Sequence, residues 1–176
     1  KNLRVNKILG FLVNFLGAYH ENWKIQHNVL HHKFTNVENM DEDIKTPVMR
    51  FSPNQERKKF FKFQAFYAPF FYSIMTIYWL VGKDFKQLVN YNKKNILAKQ
   101  GLTLKKTMTQ LIINKTWYIL LTLVLPMILV SLPWWQILGG FLLMQGICGL
   151  VLALIFQPAH VVNETDFFVA DENGSL

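Results

Sequence analysis

Residues 116–157 read TWYILLTLVLPMILVSLPWWQILGGFLLMQGICGLVLALIFQ and contain no Asp, Glu, Lys or Arg. Pro133 divides this run into 116–132 and 134–157, each near the roughly 20 residues that cross a hydrocarbon core at about 1.5 Å rise per residue. Pro133-Trp134-Trp135 joins a helix breaker to two rings that favour the membrane–water interface, so the run reads as a transmembrane hairpin turning at a headgroup layer. Before the closing Gln157 its polar residues amount to Thr116, Thr122, Ser131, Gln136 and Gln145. None is ionisable, which disfavours a transporter or an intramembrane haem anchor.

Outward from the hairpin, composition points the same way. The chain has 176 residues, 51% hydrophobic and 15% aromatic, with a net charge of +8. That is too apolar for an ordinary basic soluble domain. The single cysteine, Cys148, lies in an apolar run and excludes a disulfide framework.

A third uncharged stretch, residues 63–82, carries Phe63, Phe66, Tyr67, Phe70, Phe71, Tyr72, Tyr78 and Trp79 and is interrupted by Pro69. Arg50, Arg57, Lys58, Lys59 and Lys62 precede it, and Lys83, Lys86, Lys93, Lys94, Lys99, Lys105, Lys106 and Lys115 follow it. Basic loops stay cytoplasmic, so both flanks belong on one side and the stretch is expected to be interfacial or re-entrant. Residues 8–19 look like the end of a helix. Leu104, Met108, Leu111 and Ile112 keep helical spacing, so the hairpin's first helix is expected to start on the membrane surface. The fold class is an all-α membrane protein, with a transmembrane hairpin, an aromatic interfacial or re-entrant helix, and cytoplasmic helices carrying the histidines.

All five histidines lie near apolar boundaries: His20, His27, His31 and His32 before the aromatic stretch, and His160 after the last helix. In His27-Asn28-Val29-Leu30-His31-His32 the first two imidazoles are four residues apart and share a helix face, with His32 about 100° further round. Three neutral imidazoles so placed can approach one or two metal ions, and imidazole suits iron, zinc and copper alike. A lone histidine such as His20 is more often an interfacial or core residue.

The segment from Trp23 to Asn36, WKIQHNVLHHKFTN, followed by Asp41-Glu42-Asp43-Ile44, resembles the second histidine box of the membrane fatty acid desaturases, in particular bacterial members similar to linoleoyl-CoA desaturases. Residues 6–19 resemble the stretch after that family's first box. Phe156-Gln157-Pro158-Ala159-His160-Val161-Val162 resembles the segment carrying an extra ligand before the third. Apart from the His27–His32 cluster itself, the sequence contains no separate first box of the H-x-x-x-H type and no third box of the Q-x-x-H-H type, and three residues separate His27 from the pair where many members have two. The chain is expected to be an internal piece of a single desaturase domain, inactive alone.

The resemblance implies a di-iron centre held by His27, His31, His32 and His160, dioxygen as co-substrate, and a cis double bond introduced into an acyl chain on CoA or a membrane lipid. It also implies electrons from a ferredoxin or cytochrome b5, a cytoplasmic-face site in a bacterial inner membrane, and no nucleic-acid partner. Related histidine boxes serve hydroxylases and ketolases, the alternative within enzymes. Asp41 and Asp43, with Asn36 and Glu164, are candidates to orient ligand imidazoles through their far N–H. The expected segments are a histidine-box region at 20–44, the aromatic helix at 63–82, a basic cytoplasmic segment at 83–115, the hairpin at 116–157 and a cytoplasmic segment at 158–176.

Overall fold

A computed structural model describes residues 2–38, 40–44, 46–160 and 166–169, without the side chains of Ala159 and His160. Helix α1 (Leu3–Phe11) opens on Asn2, whose side chain accepts from the backbone N–H of Arg4 and Val5. A 3-10 turn, Leu12–Leu16, continues it. The chain then breaks at Gly17, whose φ of 82° lies in the left-handed region where a Cβ is costly. Residues 8–19 are thus the second half of α1, that turn and the break.

Helix α2 (His20–Lys24) passes without interruption into a π-helical segment, Ile25–His31. After an irregular loop come α3 (Lys59–Ser73) and α4 (Met75–Lys93), joined with a 54° bend. Short α5 (Ile96–Lys99) precedes α6 (Leu104–Leu129) and α7 (Trp134–His160). Among the described residues there is no strand, only an isolated bridge between Val37 and Phe168.

Among the described residues α6 and α7 are the two single helices long and apolar enough to cross a membrane, the bent α3–α4 pair qualifying only if taken as one span, and only 22% of each of the two is buried within the molecule. Side chains such as Ile128, Leu129, Leu143 and Ile155 therefore project outward. An apolar surface of that extent is stable only against lipid or further protein. α6 starts at Leu104, ahead of the uncharged run, as its helical spacing predicted.

The first turns of α6 belong to a compact buried core. Leu111 packs with Tyr19, Ile25, Leu88, Tyr91 and Leu97, all buried. That core ties α2, the second half of α4, α5 and α6 into one cap. Lys115 is part of the same joint: its ammonium donates to the carbonyls of Gly17 (2.6 Å) and Trp79 (3.0 Å) and to Asp84 Oδ2 (2.5 Å). Asp84 also accepts from the Tyr19 backbone N–H and from Asn22 Nδ2. Removing either partner of a pair so buried leaves an uncompensated charge, a loss of about 3–5 kcal/mol.

In the membrane half, the bend between α3 and α4 rests on α7. A Cβ on Gly149 would stand 2.5 Å from the Tyr72 carbonyl oxygen, so only glycine permits this approach. Thr76 Oγ1 donates to the Gln145 carbonyl nearby.

Candidate metal centre and cleft

The π-helical segment decides where the imidazoles point. At 100° per residue His32 would lie about 140° from His27. The backbone N–H of His32 instead bonds the His27 carbonyl at 3.0 Å, an i to i+5 contact that brings residues five apart nearly into register. The rings then gather: His27 stacks on His31 with centroids 5.4 Å apart, and His32 stands 4.7 Å from His27 and 5.6 Å from His31. Trp23, one turn before, stacks on the other face of His27 at 4.8 Å. His31 is buried, His27 half-buried and His32 exposed.

Carboxylates complete the group. His31 Nδ1 lies 3.0 Å from Asp41 Oδ2 and 3.6 Å from Asp43 Oδ2. An ionised carboxylate only accepts, so this contact favours the His31 tautomer protonated on Nδ1, the arrangement in which a metal would be met by Nε2. Asp41, fully buried, is itself fixed by the backbone N–H groups of Asn36 (2.9 Å) and Asp43 (2.9 Å). Asn36 makes its contact from a left-handed φ of 59°, which Asn tolerates better than most residues. Asn36 thus acts on Asp41, not on an imidazole.

His27, His31 and Asp43 each offer a ligand atom, all within 4.8 Å of one another. Metal–ligand bonds of about 2.0–2.2 Å tolerate donor separations up to roughly 4.4 Å, so small side-chain rotations would close the three on one ion. The donor set therefore fits a first-row transition metal. Asp43 was expected only as an orienting group, and it stands among the ligand candidates.

Behind these ligands runs a polar chain that sequence reasoning missed. Gln26 Nε2 donates to Asp43 Oδ1. Gln87 Nε2 donates to Gln26 Oε1 and to Glu42 Oε2, and the Tyr91 hydroxyl donates to the same Glu42 oxygen. Asn22 donates to Gln87 and Asp84, linking the chain to the Lys115 joint. Gln26 precedes His27 directly, which was the only sequence signal; Gln87 and Tyr91 are more than 50 residues away.

His20 stands apart from the cluster. Asn14 Oδ1 accepts its backbone N–H at 3.0 Å and the Asn14 amide also meets its Nδ1. Burial holds its imidazole below the usual pKa. Burial, with Glu21 and Asp84 adding to it, pushes the Tyr19 phenol beside it up to about 12. The calls on the His160 side chain and on Glu164 lie outside the described residues. The helix that ends at His160 does come to the cluster: Phe156 and Gln157 line the same cleft as His27. The strand-like pair between Phe168 and residues 36–38 also returns the chain to the region just after the box.

That cleft has a volume of about 410 Å³. Its lining combines polar His27, Asp43, Glu42 and Gln26 with apolar Phe71, Ile74, Met75 and Trp79 around the α3–α4 bend and Ala153 and Phe156 of α7.

Two long apolar helices joined to a cap that gathers three histidines and two aspartates, with His27 and Asp43 lining a cleft, define an all-α protein of membrane type with a His/Asp cluster suited to a metal. The chain belongs to the fatty acid desaturase family, whose pattern matches residues 1–173. It is 31% identical to an sn-1 linoleoyl-lipid 6-desaturase of Synechocystis over 99% of this chain and 48% of that protein. It is 28% identical to Delta(5) fatty acid desaturase A of Dictyostelium discoideum over 94% of this chain and 36% of the relative. With an acyl-lipid (8-3)-desaturase of Mortierella alpina it shares 29% identity over 99% and 39%. The chain thus spans about half or less of the curated relatives it matches. No solved structure matches it.

Proposed function

We propose that the protein containing this chain is an oxidoreductase that introduces a cis double bond into the acyl chain of a CoA ester or membrane lipid, using dioxygen and a histidine-held di-iron centre. The observation that carries the reading is the 410 Å³ apolar cleft with His27 and Asp43 in its lining. Breaking an unactivated methylene C–H bond lies beyond side-chain acid–base chemistry, and iron with dioxygen supplies that oxidising power when bound.

The chain's own residues do the rest. His27, His31 and His32 would hold iron, with His160 as a further ligand. Asp41 keeps His31 in the tautomer that presents Nε2, and Gln26 fixes Asp43. Phe71, Ile74, Met75 and Phe156 bind the acyl chain by burying its methylenes, each worth about 0.8 kcal/mol. The same walls exclude water from the reacting carbons. Exposed Lys86, Lys93, Lys94 and Lys99 form a basic surface on the cap, suited to an acidic electron carrier such as ferredoxin or cytochrome b5. The site would face the cytoplasm from a bacterial inner membrane.

Iron analysis of the whole protein purified from membranes, together with product analysis, tests the proposal. Two irons per chain and loss of both iron and unsaturated product in His31→Ala are expected. Stoichiometric zinc without iron, a hydroxylated product, or full activity in His31→Ala would each defeat it.

A further inference from the structure

A second concavity, about 210 Å³, lies beside the apolar cleft and has the opposite character: Arg50, Arg57, Lys62, Phe61 and Gln64 line it. Three cations converge there, and among the described residues none of them pairs with a carboxylate. Glu56 is adjacent in sequence and makes no such pair. Arg50 is held in place by backbone carbonyls: its Nε donates to Gln55 O at 2.9 Å, and its guanidinium also reaches Pro53 O. Gln64 brackets the Arg50 backbone, accepting its N–H at 2.8 Å and donating to its carbonyl at 3.1 Å. The pocket is therefore built, with a positioned guanidinium and two exposed cations, Arg57 and Lys62, beside it.

Its location says what it takes. Met49 and Phe51 line the acyl cleft, while Arg50 between them lines the basic pocket. Residues 49–51 thus separate the two sites, with Met49 and Phe51 on one and Arg50 on the other. The pocket also sits where α3 begins, and that helix exposes Phe60, Phe63, Phe66 and Phe70, with Phe66 85% accessible. Such rings mark the depth of lipid headgroups.

Resting on the reading of the cleft as the acyl site, we propose that this basic pocket binds the phosphate of a membrane glycerophospholipid whose acyl chain occupies the cleft. The guanidinium of Arg50 offers the planar donors that suit phosphate oxygens, and Arg57 and Lys62 complete the charge. The substrate is then taken laterally from the bilayer, with its headgroup and reacting chain held on opposite sides of residues 49–51.

Binding of three ligands to the whole protein containing this chain, purified in detergent, tests this: dioleoylphosphatidylglycerol, a monogalactosyl lipid with the same chains and no phosphate, and oleoyl-CoA. The exposed pair Arg57→Gln with Lys62→Gln should weaken phosphatidylglycerol retention about twenty-fold, at roughly fivefold per lost cation at a membrane surface. Galactolipid retention should not change. Arg50→Lys, which keeps charge and loses the fork, should give an intermediate loss. Ile74→Ala with Phe156→Ala should weaken both lipids alike, which reads the cleft separately. Unchanged phosphatidylglycerol binding in the arginine–lysine double variant overturns the headgroup assignment. Tighter binding of oleoyl-CoA than of phosphatidylglycerol, lost in the same variant, overturns the lipid as the source of the phosphate. Failure of the Ile74 and Phe156 changes to affect either lipid overturns the cleft reading alone.

Discussion

At the scale of single residues, the site depends on groups that hold ligands as much as on the ligands. Asp41 is fully buried and accepts from His31 and from two backbone N–H groups. Asp41→Asn keeps the volume but can turn its amide NH2 toward Nδ1, which would favour the wrong imidazole tautomer. We expect iron affinity to fall about 10- to 100-fold, as for other lost supports of a metal-bound imidazole. Iron titration followed by optical absorption checks this, with circular dichroism reporting that the helices persist; unchanged affinity refutes the role. His20 gives a pH prediction. Burial lowers its pKa in the fold, so the unfolded chain binds the proton more readily and stability falls as pH drops below about 6.5. Thermal unfolding midpoints of His20→Gln should fall less steeply over that range than those of the native chain; equal slopes would remove His20 as the cause. The histidine triplet and both aspartates were legible from spacing and from the resemblance. Gln26, Gln87 and Tyr91 were not, because Gln87 and Tyr91 meet Gln26 and Glu42 across 45 to 61 residues of chain, a separation that leaves no local pattern.

Elements were legible where a single period governed them. The uncharged run with Pro133 predicted α6 and α7, and the helical spacing from Leu104 predicted the early start of α6. Departures from regular helix were not legible. The π-helical turn at Ile25–His31 changes the direction of His32, yet composition does not announce a shift from i+4 to i+5 bonding. Lys115 had been counted as one more cytoplasmic charge; its burial between Gly17, Trp79 and Asp84 appears only when three elements meet. Gly149 is similar, since a glycine within an apolar helix looks ordinary until the α3–α4 bend is placed against it. Gly149→Leu should destabilise the protein by about 1–3 kcal/mol, the usual range for forced overpacking. Gly140, where an added Cβ meets nothing within 4 Å, provides the control. Detergent unfolding curves for the two variants should separate clearly. Similar curves would mean that the bend moves away from α7 at no cost.

For the whole molecule, the seating of α3 and α4 relative to the bilayer decides whether His160 returns to the face that holds His27, His31 and His32. α6 leaves the cap, α7 returns to it, and Phe156 and Gln157 reach the cleft beside His27. The second half of α4 is also in the cap, through Leu88 and Tyr91. The start of α3 is held to the loop after the histidines, since Gln64 brackets Arg50 and Ser52 donates to Glu38. Both ends of the bent pair therefore attach to one side. Its bend lies against Gly149, about 12 Å along α7 from Gln157 at 1.5 Å per residue. α3 and α4 are about 22 Å and 28 Å long by the same rise, and a 54° bend between them suits a shallow arc dipping roughly to mid-leaflet better than a crossing of about 30 Å. We expect single cysteines at Lys62 and Lys83, introduced with Cys148 replaced by Ala, to react with an impermeant maleimide from the same face of inverted vesicles. A cysteine at Ser131, beside the hairpin turn, should react from the other face. Labelling of Lys62→Cys and Lys83→Cys from opposite faces would make the pair a span. The chain would then cross three times and its basic flanks would be divided between compartments, against the charge rule that orients membrane helices.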